Sequence, residues 1–204
     1  MNRLTLSILT ALLLTTAPET YAQQDVPRDI LDRTLAYFQA TESKNWDAVA
    51  DMIYPRFFEV VPKERLLEVF SQMEQEGLTM QMRNFDVRNV SNIIRHGKES
   101  FVQITYEMEM SISFTSVEYR DSLVQRQIHR NFESIYGAEQ VRYDAGDFRF
   151  DITANRKMFG VSGFPDDQWY FIENDVIEEG GTTGQRLIPP EVWEQVAPAG
   201  EGTR

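Results

Sequence analysis

A chain of 204 residues with 42% apolar side chains is long enough for one domain with a sizeable core and too apolar for wholesale disorder. It contains no cysteine, which excludes disulfides, thiol catalysis, cysteine-ligated zinc and thiol redox chemistry. A formal net charge of −12 works against binding nucleic acid or anionic lipid and favours solubility.

Met1-Asn2-Arg3 is a basic start, residues 4–14 are mostly apolar, and Thr20-Tyr21-Ala22 resembles a small-residue cleavage site. This pattern predicts a secretory signal peptide over 1–22, cut after Ala22 and too short to cross a bilayer. The mature protein is therefore expected in the periplasm or secreted, with one domain over 23–177 and a further segment over 178–204. No later stretch is long and apolar enough for a membrane span.

Val26-Pro27 opens a first helix, with Ile30, Leu31, Thr34, Leu35 and Phe38 on one face at helical spacing. Asn45 is a natural cap for a shorter second helix carrying Trp46, Val49, Ala50 and Ile53, which must end before Pro55. The apolar run 57–61 reads as a short strand. Pro62 starts a third helix with Leu66, Leu67, Phe70 and Met73 inward and Gly77 as its stop.

Leu78, Met80 and Met82 alternate, then the phase shifts to Phe85 and Val87, which predicts a bulge near Arg83-Asn84. His96-Gly97-Lys98 turns the chain into the dominant stretch, 101–114. There Val102, Ile104, Tyr106, Met108, Met110, Ile112 and Phe114 alternate with Gln103, Thr105, Glu107, Glu109, Ser111 and Ser113. A strand sends successive side chains to opposite faces, so this is one long strand with an apolar and a wet side. Its length predicts bending or coiling.

Asp121 or Ser122 caps a helix with Val124, Ile128, Phe132 and Ile135 on its apolar face, stopped by Gly137. Phe148, Phe150 and Ile152 begin another strand that continues irregularly to Val161. Pro165-Asp166-Asp167 turns into a last strand over 169–172. A glycine-rich loop over 178–184, a short helix from Pro190 with Val192, Trp193 and Val196, and a frayed tail follow.

Helices followed by long antiparallel strands predict an α+β fold with the helices on one face of the sheet. The element order, closed by Trp169-Tyr170-Phe171-Ile172-Glu173, resembles the nuclear transport factor 2-like superfamily over roughly 27–174. Phe132-Glu133-Ser134-Ile135-Tyr136-Gly137 and Val141-Arg142-Tyr143-Asp144 look like its exported bacterial branch. The resemblance implies three N-terminal helices packed on a strongly bent antiparallel sheet that encloses a conical pocket. The helix over 121–136, placed before the last two strands, and the C-terminal segment exceed the family's minimal pattern. Some members are isomerases, dehydratases or hydrolases; many only bind or assemble.

The apolar face of the long strand offers one polar group, the Tyr106 hydroxyl. A general base must be a titratable group within reach of substrate, and Glu107 and Glu109 have the wrong parity for that face. Of the two histidines, His96 falls in a turn and His129 on the helix over 121–136, at a rim position. Histidines in separate elements without an acidic partner motif make no metal site. No catalytic set, metal or cofactor is therefore assigned.

The remaining signal is aromatic and thioether. Trp46, Tyr54, Phe57, Phe58, Tyr106, Phe114, Trp169 and Phe171, with Met108 and Met110, could line a cavity, and Trp46, Tyr54, Phe58, Tyr106, Met108, Met110 and Trp169 are the candidate lining of a pocket for a small apolar ligand, although the same residues could simply fill the core. The expected role is non-catalytic ligand binding or an interaction module. The rivals are an enzyme using a cavity carboxylate such as Asp51, Glu59 or Asp151, and a homodimer formed through the outer sheet face.

Overall fold

The computed structural model describes residues 27–174 and 187–196. The expected signal peptide, the loop over 178–184 and the tail after 196 lie outside the described residues. The fold is α+β: α1 (Arg28–Glu42), α2 (Trp46–Asp51) and α3 (Lys63–Gln75) precede β1 (Leu78–Val90), β2 (Ile94–His96) and β3 (Glu99–Phe114). Then come α4 (Ser122–Tyr136), β4 (Val141–Asp144), β5 (Arg149–Ser162), β6 (Tyr170–Glu173) and α5 (Pro190–Val196). Three strands follow α4, not two. Among the described residues no helix is long and apolar enough to cross a membrane.

The sheet is antiparallel, in the order β1-β3-β5-β4, with β2 also paired to β3 and β6 also paired to β5. β1 and β2 thus flank successive parts of β3, and β4 and β6 flank successive parts of β5. Along β3 the burial alternates without a break from Val102 to Phe114, as the residue pattern predicts. The inner face gathers Val102, Ile104, Tyr106, Met108, Met110 and Ile112 with Phe150, Ile152, Ala154 and Met158 of β5, beneath Ile30 and Phe38 of α1.

The sheet is not strongly curled, which corrects the expectation of a strongly bent cone. Curling a sheet takes bulges. The central β3–β5 ladder runs one-to-one from Ser100↔Ser162 to Ser113↔Arg149. The breaks in register fall in β1, between Arg83 and Asp86 and between Val87 and Asn89, with Asn84 at φ 55°. The expected bulge is therefore present, but on a strand at the edge of the main path.

The wet face is not wet throughout. Phe101, Phe159, Val161, Tyr170 and Ile172 point outward at one end and form a second core with Tyr54, Leu187, Ile188 and Val192. Helix α5 and the residues before it cover this end, so β5 reads as buried on both faces from Met158 to Val161. The rest of the outer face carries cross-strand ion pairs, Arg83–Glu109 at 3.1 Å and Arg88–Glu107 at 2.8 Å.

Several helical details differ from the sequence expectation. The run 57–61 is not a strand: Pro55–Glu59 is a 3-10 turn, because Pro55 presets its φ and the Phe57 N–H closes onto the Tyr54 carbonyl at 2.9 Å. Helix α3 presents the expected face, but Leu66, Leu67, Phe70 and Met73 are only half-buried. Leu35 of α1 is 51% exposed. Helix α4, capped by Asp121 as expected, is rotated: Ile135 is 66% exposed, and Val124 is also exposed. It docks instead through Ile128, His129, Phe132 and Tyr136, and the Tyr143 hydroxyl donates to Gln125. The aromatic β4–β5 hairpin explains the rotation. His129 lies 4.9 Å from the Tyr143 ring and 5.5 Å from Phe150 and is half-buried, so one side of its ring packs on the hairpin while the other meets solvent.

The turn after β5 depends on Gly163. Its φ is +100°, and a Cβ there would sit 2.3 Å from the Lys98 carbonyl oxygen. Gly163→Ala is expected to cost at least about 1–3 kcal/mol, read by urea denaturation. An unchanged midpoint would contradict this turn geometry.

Candidate functional site

The site is a cleft of about 150 Å³ between the three N-terminal helices and β6. Its floor is Val49 of α2 with Phe171 of β6, both buried, beside Ile172, whose side chain faces the second core. Its rim is Phe57 of the 3-10 turn with Leu66 and Phe70 of α3, all half-buried, so the cleft reaches solvent. Two backbone hydrogen bonds hold these walls together: the Tyr54 N–H donates to the Phe171 carbonyl and the Phe171 N–H to the Met52 carbonyl, each at 2.8 Å. Pro55 then turns the chain away from the sheet, and α3 returns over the gap. Trp46 stacks on Phe70 at 4.2 Å and fixes the far side.

One end of the cleft is polar. Glu173 closes β6 opposite Met158, on the same face as Phe171. The Tyr106 hydroxyl donates to Glu173 Oε1 at 2.8 Å. Arg156 stands directly opposite Tyr106 in the β3–β5 ladder, on this same inner face. Tyr37 of α1 lines the cleft beside Glu173, its ring 5.2 Å from Phe171.

The electrostatics follow from this placement. Burial, reinforced by the negative charge of Glu173 and partly offset by Arg156, holds the Tyr37 and Tyr106 hydroxyls well above the ordinary phenol range. Both phenols are therefore neutral at physiological pH. They can donate hydrogen bonds but cannot serve as bases. Glu173 is the titratable side chain lining the cleft that could accept a proton.

The seven residues expected to line a pocket lie in different places. Trp46 packs on Phe70 beside a gap of only about 10 Å³. Tyr54 belongs to the second core, and its hydroxyl donates to Glu99 at 2.6 Å. Phe58 is half-buried in the 3-10 turn, 5.7 Å from the Phe57 ring. Met108 and Met110 are packed into the inner face. Trp169 is buried at the N-terminal end of α1, where its indole N–H donates to Asp29 at 2.9 Å. Tyr106 reaches the cleft's polar end through Glu173, and of the wider aromatic set Phe57 and Phe171 line the cleft itself.

The lining residues Tyr37 and Glu173 were missed, though each left a signal. Glu173 is two residues beyond Phe171 in a strand, so it shares that residue's inward face. Tyr37 is seven residues beyond Ile30 and falls on the same helical face.

The three rival carboxylates lie elsewhere. Asp51 is exposed and paired with Lys63; Glu59 is exposed. Asp151 is on the outer sheet face, where the Ser111 hydroxyl donates to it at 2.6 Å and Arg142 pairs with it at 2.9 Å. The Ser111 hydrogen bond first, then the nearby arginines, hold the Asp151 carboxyl below its usual range. A depressed carboxylate pKa stabilises the fold above the unfolded-state value of about 3.9 and loses that contribution as pH falls through the folded value. The stability difference between wild type and Asp151→Asn is therefore expected in urea titrations at pH 7 and to shrink towards pH 2. A difference that stayed constant with pH would contradict the assignment.

Among the described residues no group of three or more potential metal-ligating side chains comes together. No protein-family model and no curated protein matches this chain.

Proposed function

We propose that this chain is an exported binder of a small apolar molecule, held in the cleft between α1–α3 and β6, and a kin of the nuclear transport factor 2-like proteins with a flatter sheet. The observation that carries the reading is the cleft itself: aliphatic and aromatic walls from the three helices, the 3-10 turn and β6, a buried floor and a half-open rim. Apolar surface holds a ligand by burial, at roughly 25 cal/mol per Å² removed from water. A ring-sized ligand burying about 150 Å² gains about 4 kcal/mol, which corresponds to about millimolar affinity.

A thermal-shift titration with toluene tests this. The melting temperature of the mature protein is expected to rise with toluene, and Leu66→Trp, which fills the rim, is expected to abolish the rise. Equal shifts in both proteins, or none in either, would sink the reading.

A second reading is supported by the position of Glu173: an isomerase, dehydratase or hydrolase that uses this carboxylate as its base. It needs turnover that Glu173→Gln abolishes while the fold is retained.

A further inference from the structure

Strand β1 is an outermost strand of the sheet, bonded to β3 on one side only. An antiparallel strand turns the N–H and C=O of every second residue away from its neighbour. The Thr115 N–H donates to the Gly77 carbonyl at 2.7 Å, so Gly77 bonds towards β3, and Thr79, Gln81 and Arg83 follow its phase. Leu78, Met80 and Met82 therefore point their backbone groups outward. The Phe114 N–H agrees with this phase: it donates away from β1, to the Phe148 carbonyl at 3.2 Å. Among the described residues no backbone group meets this outward edge. One side chain does: the Gln81 amide donates to the Met82 and Glu42 carbonyls, each at a long 3.3 Å.

We propose that this edge pairs with the same edge of a second copy, antiparallel about a two-fold axis at Met80. The outward groups are symmetric about that residue. Met80 meets Met80, and Leu78 meets Met82 in both directions, so each pair exchanges both of its backbone hydrogen bonds. The same three side chains lie on the inner face and are only half-buried. With the axis perpendicular to the sheet, the helices of both copies stay on one face and apolar side chains meet apolar ones. Helix α3, whose Phe70 and Met73 lie beside Leu78 and Met80, has no fully buried residue, so apolar cover on this side is incomplete.

Charge fits the same register. It sets Arg83 of each copy opposite Gly77 of the other, next to Glu76. Glu76 ends α3, whose last turn holds no basic residue, and its exposed carboxylate has no partner among the described residues. An arginine from the second copy complements both this carboxylate and the negative end of the helix. Arg83 pairs with its own Glu109 yet keeps 49% of its side chain exposed. Beyond Arg83 the register breaks and Asn84 takes φ 55°, which confines the pairing to the straight segment Leu78–Arg83. Pairing of identical edges uses both up, so assembly stops at two. None of Leu78, Met80, Met82 and Arg83 lines the cleft, so this surface is independent of ligand binding there.

The test is sedimentation equilibrium of the protein over a concentration series, at about 0.15 M salt to screen the net charge of −12. A monomer–dimer equilibrium is expected. Met80→Pro removes the central outward N–H without touching the ladder to β3, and is expected to weaken association at least about tenfold. Glu76→Arg and Arg83→Glu are each expected to weaken it about three- to tenfold, since the axis doubles each change. Combined, the two exchanges should restore association to within about twofold of wild type, because they rebuild the pair with its charges swapped. Should Met80→Pro fail to fold, the charge exchange decides. A monomer at every concentration up to about 1 mM would overturn the proposal. A dimer that none of these variants weakens would overturn it in favour of another face, such as the outer face of the sheet. Open-ended growth would overturn the closed two-fold pairing.

Discussion

Replacing Phe150 with alanine is expected to destabilise the fold by about 3–5 kcal/mol. Phe150 is 0% exposed and sits in the middle of an aromatic cluster. Its ring lies 4.7 Å from Tyr143, 4.9 Å from Phe132 and 5.8 Å from Phe148. Truncation would remove the transfer free energy of the ring and leave a cavity between the sheet and α4 that rigid neighbours cannot close. Because α4 has no fully buried residue of its own, its docking relies on this cluster. Urea denaturation followed by circular dichroism measures the loss. A cost under about 1 kcal/mol would mean that α4 does not pack here as described.

Ile104→Ala is expected to cost about 2–5 kcal/mol, whereas Glu107→Ala should cost less than about 1 kcal/mol. The two residues are three apart on β3 and face opposite sides. Ile104 is fully buried on the inner face. Glu107 makes an outer-face ion pair with Arg88, and both partners are substantially exposed. Exposed pairs lose most of their Coulomb attraction to solvent screening and side-chain entropy. A one-residue slip of register would exchange the faces and reverse the order of the two costs. That reversed order is the result that would refute the register.

The long strand was legible because a period of two, sustained from Val102 to Phe114, has one structural meaning. Caps were legible for a similar reason: the Asn45 and Asp121 side chains each accept an N–H of the helix that follows. What could not be read was anything set by partners distant in the chain. The rotation of α4 is decided by Tyr143 and Phe150, whose positions depend on how β4 pairs with β5. The second core arises because α5 and the residues before it lie on the outer face at Phe101, where parity alone predicts a wet surface. Of the expected lining residues, Tyr106, Met108 and Met110 lie on the long strand, and there they are taken up by core packing. The cleft lies where packing is incomplete, under the half-buried α3. Pattern reports which residues are apolar, not which gaps between elements stay open.

The same reasoning explains the missed carboxylate. Of the carboxylates considered, Asp51 and Glu59 are exposed and Asp151 lies on the outer sheet face. Glu173 looks like the polar end of a short strand until β6 is placed against β5. The pairing of Met158 with Glu173 then turns its side chain into the interior, towards Tyr106.

The most direct test is a methyl-resolved NMR titration of the protein with toluene. The methyl signals of Val49, Ile53 and Leu66 are expected to shift together and saturate, while those of Ile104, Ile112 and Ile152 on the packed sheet face stay in place. Shifts centred on Met108 and Met110, or no saturable shift at all, would contradict a ligand site between the N-terminal helices and the last strand.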